Sequence, residues 1–548
     1  MPAPAGGNTR TGPRSSSTTR STPAGIGPRL RPCRRRGAPA SAWTALAFAA
    51  LSLATPVSAQ QGLPYVPTTI LLPPDGSGNG NNSVAYIFTP RSDGANANAN
   101  ANANANANAV DFLSLDFSST LRASSVQPKA LASDLPFLSS ESGSCIAFAP
   151  TILRNGTLLV GAGDCSSSST PSSSSLWTYA PDSKAWTPFA ITPISSWDYA
   201  QSGPYHLGGI LTFSAQLSPI ISEPTVYLYA GMCPSSNSSS SSSPSDSPQL
   251  PPATYSNRML RLSPPTPSQG DADTSSYALA YAPLTGSNPI PHAGFTLTEL
   301  PASLSTRPGP NNNNGDDGDS TITTQQTSHL LLGGHTPQAF INMSTAAVWS
   351  LPEETWTFVG VSPPEAGGGN TDLAVRETAG VDSRSGHTAV LSEDGTAVVV
   401  YGGWVGDIDT PAEPQLAVLR MGTGGGFAGW RWEVPDVDGD GPAQGSGVYG
   451  HGAVLLPGNV MMVWGGYEIG AGNRRRQVGE RMFFNVSSLS WSGEYVNPLR
   501  EEGTGDGGSG DDGGDGGDES DGGDGAAPPE DQAGDVDDPS RNRQIGLG

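Results

Sequence analysis

The chain has 548 residues, a formal net charge of −23, and 70 Gly and 50 Pro. So many helix breakers, with no long segment of 3.6-residue apolar period, exclude a predominantly helical fold. The negative charge repels phosphate backbones and no basic patch offsets it, so we expect no nucleic-acid partner.

Residues 1–59 form a predicted N-terminal leader. They contain eight Arg and no acid, and WTALAFAALSLA at 43–54 is followed by Val57-Ser58-Ala59. This order of basic, apolar and small residues is typical of a secretory signal peptide, here cleaved after Ala59. The basic part is long, which a misassigned start codon would explain. An Arg- and Ser-rich mitochondrial transit sequence is the alternative. Retention as an anchor is disfavoured, because the apolar run is shorter than the ~20 residues that span a bilayer.

Five Asn-x-Ser/Thr sequons follow the leader, each in or beside a predicted turn or Ser-rich loop. They are at Asn81, Asn155, Asn237, Asn342 and Asn485. Such sequons accept N-linked glycans on the secretory route. A chain rich in Asn, Ser and Thr also produces them by chance, so the leader remains the main evidence for secretion.

Strand-like apolar runs begin at PTTILLP, SVAYIF and AVDFLSLDF, which predict one sheet over residues 63–121. Five later units each contain an apolar run that ends in glycine. The predicted strand ends are Gly163, Gly231, Gly334, Gly403 and Gly466. Their spacing is irregular because low-complexity insertions, such as the ANAN run at 96–109, fill the loops.

The last two of these units are nearly copies of each other. Residues 385–403 read SGHTAVLSEDGTAVVVYGG, and residues 449–466 read YGHGAVLLPGNVMMVWGG. In each, a turn signal separates two apolar runs too short for helices, which predicts a buried β-hairpin.

A second hairpin in three of the units carries an aromatic residue and a Trp seven positions later. The pairs are Tyr179 and Trp186, Trp349 and Trp356, and Phe484 and Trp491. If the middle four residues form the loop, the two rings face each other across adjacent strands and fix the register. The unit at 416–434 departs from this spacing, because GTGGG at 422–426 lengthens its loop.

Strand-final Gly-Gly followed by an aromatic-x6-Trp hairpin resembles the kelch repeat, the blade of kelch and galactose-oxidase type β-propellers. The resemblance covers roughly residues 62–497, although the units ending at Gly163 and Gly231 keep a single glycine. It implies an all-β, kelch-type β-propeller over residues 60–497, with disordered ends. We expect six four-stranded blades, or seven if residues 259–300 hold another.

Three cysteines remain after cleavage of the leader: Cys145, Cys165 and Cys233. Cys165 and Cys233 each lie two residues past the glycine of consecutive strands, and we predict a disulfide between them. A Cys145–Cys165 bond within one blade, or no bond, are the alternatives. No Cys/His cluster indicates zinc.

The galactose-oxidase resemblance also implies a test for copper. That enzyme uses two Tyr, two His and a Cys linked to one Tyr, and one His comes from a domain after the propeller. Here a Gly/Asp-rich stretch follows Asn497, so we expect no catalytic residue and no cofactor. A copper oxidase of that type, or another secreted enzyme on the same fold, is the alternative.

A non-catalytic recognition scaffold is therefore the function we expect, because a propeller holds variable loops in fixed positions. The weak binding candidates are Trp404, Tyr467 and His335, each directly after a Gly-Gly pair. The two aromatics either stack on a sugar or pack between blades. His387 and His451 are equivalent copies, and we interpret them as structural. The expected partner is an unidentified extracellular protein or carbohydrate.

Residues 498–548 are an acidic Gly/Asp-rich tail, with fifteen acids and two Arg from Glu501 onward. This composition predicts a disordered spacer. Similar filamentous-fungal proteins continue into one membrane-spanning helix and a basic tail. We therefore expect an extracellular or cell-surface location, and a chain truncated before a membrane tether beyond Gly548.

Overall fold

The computed structural model describes residues 66–74, 83–91, 110–138, 146–164, 174–193, 208–214, 216–218, 224–234, 253–264, 276–283, 286–301, 304, 323–324, 326–365, 380–422, 426–439, 441–443, 445–469 and 481–499. The chain divides into two compact units, Met1–Thr55 and Pro56–Gly548, and every described residue belongs to the second.

The regular structure of the described residues is β-strand, joined by turns and loops. The first fourteen strands are β1 (Thr69–Leu71), β2 (Val84–Pro90), β3 (Val110–Asp116), β4 (Leu121–Arg122), β5 (Lys129–Ala132), β6 (Ile146–Ile152), β7 (Leu158–Asp164), β8 (Ser174–Ala180), β9 (Ala185–Pro193), β10 (Gly209–Phe213), β11 (Gln216–Ser218), β12 (Thr225–Pro234), β13 (Ala253–Ser263) and β14 (Ser276–Tyr281). One 3₁₀ turn, Pro136–Leu138, lies between β5 and β6.

The later strands are β15 (Thr296–Leu300), β16 (Thr323–Thr324), β17 (Thr327–Leu332), β18 (Thr345–Leu351), β19 (Thr355–Gly360), β20 (Thr388–Leu391), β21 (Ala397–Tyr401), β22 (Trp404–Val405), β23 (Asp407–Pro411), β24 (Leu416–Arg420), β25 (Arg431–Glu433), β26 (Asp438–Gly439), β27 (Gly447–Tyr449), β28 (Gly452–Leu456), β29 (Val460–Trp464), β30 (Tyr467–Ile469), β31 (Arg481–Asn485), β32 (Ser490–Ser492) and β33 (Glu494–Tyr495). No helix within the described ranges is long and apolar enough to cross a membrane.

The longer strands pair into four-stranded antiparallel meanders, which we call blades. Blade 1 is β1-β2-β3-β5, blade 2 is β6-β7-β8-β9, blade 3 is β10-β12-β13-β14, blade 4 is β15-β17-β18-β19, blade 5 is β20-β21-β24-β25 and blade 6 is β28-β29-β31-β32. Parallel pairing of β9 with β14 joins blades 2 and 3 into one eight-stranded sheet.

The first strands of the blades contact one another in order: β1 with β6, β6 with β10, β15 with β20, β20 with β28, and β28 with β1. Between β10 and β15, a Cβ on Gly209 would lie 2.9 Å from Leu297 Cδ2. The sheets therefore form a β-propeller-like ring. The all-β prediction is confirmed, and a ring of stacked sheets buries faces that a single sheet leaves exposed.

The apolar core lies between successive blades rather than inside any one of them. On β21, Val398 and Val400 pack towards blade 4, while Val399 and Tyr401 pack towards blade 6. Equivalent clusters join blades 6 and 1, 1 and 2, 2 and 3, and 3 and 4. A strand buried on both faces needs a continuous apolar run, which explains AVVVY in the sequence.

The ring closes where the end of the chain returns to blade 1. β33 pairs antiparallel with β4, and Asn497 Nδ2 donates to Phe117 O at 3.2 Å across 380 positions of sequence. This strand pairing supplies an intramolecular clasp between blades 6 and 1.

The aromatic pairs predicted from the seven-residue spacing are confirmed as cross-strand partners. The ring centroids of Tyr179 and Trp186 lie 5.0 Å apart, those of Trp349 and Trp356 5.1 Å, and those of Phe484 and Trp491 4.9 Å. The residue two before each Trp has positive φ, which closes the loop.

Each of these Trp rings also contacts the preceding blade. Trp186 lies 5.6 Å from Phe112, Trp356 lies 4.9 Å from Tyr229, and Trp491 lies 5.1 Å from Tyr401. The hairpin spacing therefore fixes both the register within a blade and the packing between blades.

Two predicted strand ends are wrong. β7 continues past Gly163 to Asp164, and β12 continues past Gly231 to Pro234. A single glycine does not stop these strands, whereas each Gly-Gly pair follows directly after the last strand residue in blades 4, 5 and 6.

Residues 259–300, considered above for a seventh blade, form the outer strands of blade 3 and the first strand of blade 4. The blade number of the whole chain stays a prediction. The leader and acidic tail lie outside the described residues, apart from residues 498 and 499.

Candidate binding site at the Gly-Gly rim

The Gly-Gly pairs turn the chain from the second strand of a blade into a loop on one rim. In blade 5, φ is +72° at Gly402 and +98° at Gly403, a region open to glycine and costly for other residues. The next residue then pairs with the segment that precedes the first strand. The three pairs are Ala293 with His335, Ser385 with Trp404, and Tyr449 with Tyr467.

His335, Trp404 and Tyr467 therefore occupy equivalent positions in blades 4, 5 and 6. We call this part of the ring the Gly-Gly rim, defined by the loops at residues 333–344, 402–415 and 465–469. The structure brings all three sequence candidates to this rim.

Backbone hydrogen bonds fix the loops of blades 4 and 5 to the following blade. Gly334 N donates to Arg384 O and Gly403 N donates to Val448 O, both at 2.8 Å. A second series runs between the segments before the first strands: Gly386 N to Gly294 O at 2.9 Å, and Gly450 N to Gly386 O at 2.8 Å. The repetition of one bond at equivalent positions indicates a rigid frame.

A buried cation reinforces this frame. Arg384 is 0% exposed, and its guanidinium donates to Gly402 O at 3.1 Å and Pro414 O at 2.7 Å. Burial lowers the pKa of Arg384 to about 10, against the opposing effect of the Asp382 and Glu413 carboxylates. The guanidinium thus stays charged at neutral pH and holds two carbonyls of the blade 5 loop.

His387 and His451 make equivalent bridges between blades. The Nε2 atom of His387 lies 3.3 Å from Thr296 Oγ1, and that of His451 lies 2.8 Å from Thr388 Oγ1. Burial lowers the pKa of His451 to about 3 and holds the pKa of His387 well below its ordinary value, with Arg384 adding to the latter. Both rings are neutral at physiological pH, and each ties its blade to the previous one.

His335 joins three blades through its two ring nitrogens. Nδ1 lies 2.8 Å from Ser385 Oγ in the segment before blade 5, and Nε2 lies 3.1 Å from Tyr255 OH in blade 3. Burial lowers the pKa of His335 to about 4, with His292 as a second cause. Since both nitrogens bond protein groups and the residue is 1% exposed, His335 supports the rim in this arrangement.

The two aromatic candidates differ in exposure. Trp404 is 0% exposed, with its ring 4.9 Å from Phe340 and 5.2 Å from His335. Tyr467 is half-buried and stacks on Tyr449 with centroids 5.4 Å apart. Trp404 therefore lies in a packed position, and of the three candidates Tyr467 presents the most surface to solvent.

Two exposed acidic residues lie on the strand next to this tyrosine, on either side of Ile408, which packs in the same cluster as Tyr467. Strand β23, with exposed Asp407 and Asp409, contacts β30, which begins at Tyr467. Burial raises the pKa of Asp409, and the neighbouring charge of Asp407 adds to this rise. Carboxylates accept hydrogen bonds from hydroxyl and ammonium groups, and an aromatic face stacks on apolar ligand faces.

Some sequence candidates are only partly visible. Cys145 and Cys165 lie outside the described residues, and of Cys233 the structure describes the backbone in β12. His206, Asn81 and Asn237 also fall outside. In the described part of the chain, no group of three or more His, Cys, Asp or Glu could hold a metal ion.

Sequence reasoning missed Arg384, Ser385 and Tyr255. Tyr255 lies 80 positions before its partner His335, and no spacing in the sequence connects them. Arg384 and Ser385 precede the recognised Gly-His motif directly, so a search for polar residues shared by this segment could have found them.

A separate groove lies where the ring closes. It is lined by Thr120, Leu121, Arg122, Ser125, Val126 and Glu494. It belongs to the clasp between blades 6 and 1 and contains none of the rim residues.

No protein-family model matches this chain, and no curated protein matches it. Among solved structures, that of YjhT is 12% identical, with 80% of this chain and 99% of that chain covered and a TM-score of 0.36. The crystal structure of a protein of unknown function from Dyadobacter fermentans DSM 18053 is 12% identical, with 77% and 96% covered and a TM-score of 0.37. The cryo-EM structure of RAG in complex with one melted and one unmelted RSS is 14% identical, with 64% and 81% covered and a TM-score of 0.37. Likenesses with TM-scores below 0.5 say nothing further about this chain.

Proposed function

We propose that this chain is a kelch-type β-propeller that acts as a non-catalytic binding scaffold, with the Gly-Gly rim of blades 4 to 6 as its recognition surface. The Gly-Gly turns recur at equivalent places in blades 4, 5 and 6, and the aromatic-x6-Trp hairpin recurs in blades 2, 4 and 6. Both features support the kelch assignment.

One observation carries the functional proposal. The frame of the rim repeats from blade to blade, with His335 and Trp404 buried in it, and at the equivalent position of blade 6 it holds Tyr467 with part of its ring open to solvent. A rigid frame that presents side chains on loops is typical of recognition surfaces.

The ligand class follows from the side chains that reach solvent. Tyr467 offers a ring for stacking, while Asp407 and Asp409 offer carboxylate acceptors on the adjoining strand. These groups suit a carbohydrate, or the hydroxyl and ammonium groups of a protein partner. The net charge of −23 disfavours a nucleic acid.

The leader-like residues 1–59 support delivery outside the cell. We propose an extracellular or cell-surface location on the same basis.

A glycan array probed with the full chain tests the function. We expect Tyr467→Ala and Asp409→Asn each to weaken binding to the retained glycans at least about tenfold, equivalent to roughly 1.4 kcal/mol. Phe358→Ala is the matched control, because Phe358 is 47% exposed on outer strand β19 and does not belong to a rim loop. Unfolding curves verify that the rim variants remain folded.

Binding that survives both rim variants would contradict the assignment of the surface. Stoichiometric copper with a radical absorption band in the purified protein would instead support the oxidase alternative.

A further inference from the structure

Three sequon asparagines share one local geometry. The side-chain oxygen Oδ1 of Asn155 accepts the backbone N–H of Thr157 at 3.0 Å. Asn342 does the same with Ser344 at 2.6 Å, and Asn485 with Ser487 at 2.9 Å. Each sequon is therefore an Asx turn, in which the amide oxygen is fixed by the residue that carries the sequon hydroxyl.

The amide nitrogens of these residues differ from those of other asparagines. Nδ2 of Asn257 donates to Pro289 O at 2.7 Å, Nδ2 of Asn459 to Ser487 Oγ at 2.8 Å, and Nδ2 of Asn497 to Phe117 O at 3.2 Å. Within the described ranges, the Nδ2 atoms of the three sequon residues donate no hydrogen bond to the protein. A substituent on those nitrogens therefore breaks no hydrogen bond of the fold.

The surroundings leave room for a large substituent. Asn155 lies in the turn between β6 and β7, Asn342 is exposed in the loop before β18, and Asn485 ends β31 beside exposed Ser487 and Ser488. Asn155 and Asn485 are half-buried, so part of each side chain reaches solvent, at a turn and at a strand end respectively.

We propose that Asn155, Asn342 and Asn485 carry N-linked glycans in the folded protein. The donor is an oligosaccharide on a lipid diphosphate, and the transferase catalyses attack of Nδ2 on sugar carbon C1. The Nδ2–C1 bond forms and the bond from C1 to the phosphate oxygen breaks. The lipid diphosphate leaves with the electron pair, and Nδ2 loses one proton to the transferase.

The position of Asn342 adds a consequence for the rim. Its loop also carries Phe340, whose ring lies 4.9 Å from that of Trp404. The Asn342 glycan therefore lies on the blade 4 loop of the Gly-Gly rim and limits how closely a large partner approaches that loop. The proposal depends on the secretory route in the proposed function, and it is independent of the ligand.

The test uses the full chain behind an established secretory leader, expressed in a eukaryotic host and purified from the medium. Enzymatic removal of N-glycans in heavy-oxygen water converts each occupied asparagine to labelled aspartate, which peptide mass spectrometry locates. We expect label at all three positions, and none at Asn257 or Asn459.

Two variants at one site separate the chemistry from the fold. Asn155→Asp keeps the Oδ1 acceptor and removes the nucleophilic nitrogen, whereas Thr157→Ala keeps the backbone N–H and removes the sequon hydroxyl. Each should lose the Asn155 glycan alone, with an unchanged unfolding midpoint.

Protein recovered from the medium has passed through the secretory route, so an unlabelled asparagine at any of the three sites overturns the proposal for that site. Label at these sites without any retained array ligand would leave glycosylation standing and count against the recognition function.

Discussion

Single residues hold the ring together through contacts that leave no space for an added methyl group. A Cβ on Gly402 would lie 2.5 Å from His451 Cε1 and 2.5 Å from Val448 O in the next blade. One blade earlier, a Cβ on Gly333 would lie 2.6 Å from His387 Cε1. The glycines and histidines that repeat in the sequence are therefore the two sides of one contact between blades.

Gly402→Ala should destabilise the protein more than a change of backbone preference alone explains. Gly402 and Gly406 have nearly the same φ, +72° and +69°, but a Cβ on Gly406 would meet nothing within 4 Å. We expect Gly406→Ala to cost about 1 kcal/mol of unfolding free energy, from the left-handed backbone. Gly402→Ala should cost about 3 kcal/mol, because overpacking adds to the backbone cost. Urea unfolding of both variants measures the difference. Equal costs would show that the contact between Gly402 and blade 6 relaxes to accommodate the added methyl group.

The sequence shows the residues of this contact but does not show that they meet. Gly402 and His451 both stand out as repeated residues, but no spacing shows that they touch across 49 positions. The same holds for His335, whose partners Tyr255 and Ser385 come from different blades. These contacts form because the ring brings different blades together. A pattern within one segment of the sequence carries no information about which segments meet.

Individual hairpins were more predictable, because both partners lie within one short segment. The seven-residue spacing of Phe484 and Trp491 fixed a four-residue loop, and the two residues are register partners. The second contact of Trp491, with Tyr401 of blade 5, followed only from the stacking of the blades. Trp491 thus packs both within its own hairpin and against the neighbouring blade.

Trp491→Ala should destabilise both the hairpin and the interface between blades 5 and 6. Trp491 is 6% exposed, and its ring contacts Phe484 at 4.9 Å and Tyr401 at 5.1 Å. We expect a loss of about 3 to 5 kcal/mol in unfolding free energy, the usual range for a buried tryptophan. Phe358→Ala, at an exposed ring of comparable kind, should cost less than about 1 kcal/mol. Denaturant titration compares the two, and similar losses would refute a special role for the Trp contact.

At the scale of the whole ring, six apolar clusters of described residues lie between successive blades, one clasp closes the ring, and buried histidines recur in the rim and its neighbouring strands. Burial lowers the pKa of His292, His329 and His335 to about 4 and of His451 to about 3, and it holds that of His387 well below 6.5. His206 lies outside the described residues. A fold that buries five neutral imidazoles ties its stability to the pH of its surroundings.

We therefore expect the protein to lose stability as the pH falls from about 6.5 towards 4. In the unfolded chain each histidine takes up a proton near pH 6.5, whereas the folded protein keeps these rings neutral until near pH 4 or below. The unfolded state then binds more protons, so the free energy of unfolding falls by about 1.4 kcal/mol per pH unit for each such histidine. The raised pKa values of Glu299 and Asp409 act in the opposite direction, but two carboxyls do not offset five imidazoles.

Urea unfolding at about pH 7, 6 and 5 measures this slope. His451→Gln is the matched variant: it is expected to be less stable at neutral pH, and its slope between pH 6 and 5 should be smaller by about one proton. A free energy of unfolding that stays constant or rises between pH 7 and 5 would mean that these imidazoles take up protons in the folded protein. Burial would then not keep them neutral in this pH range.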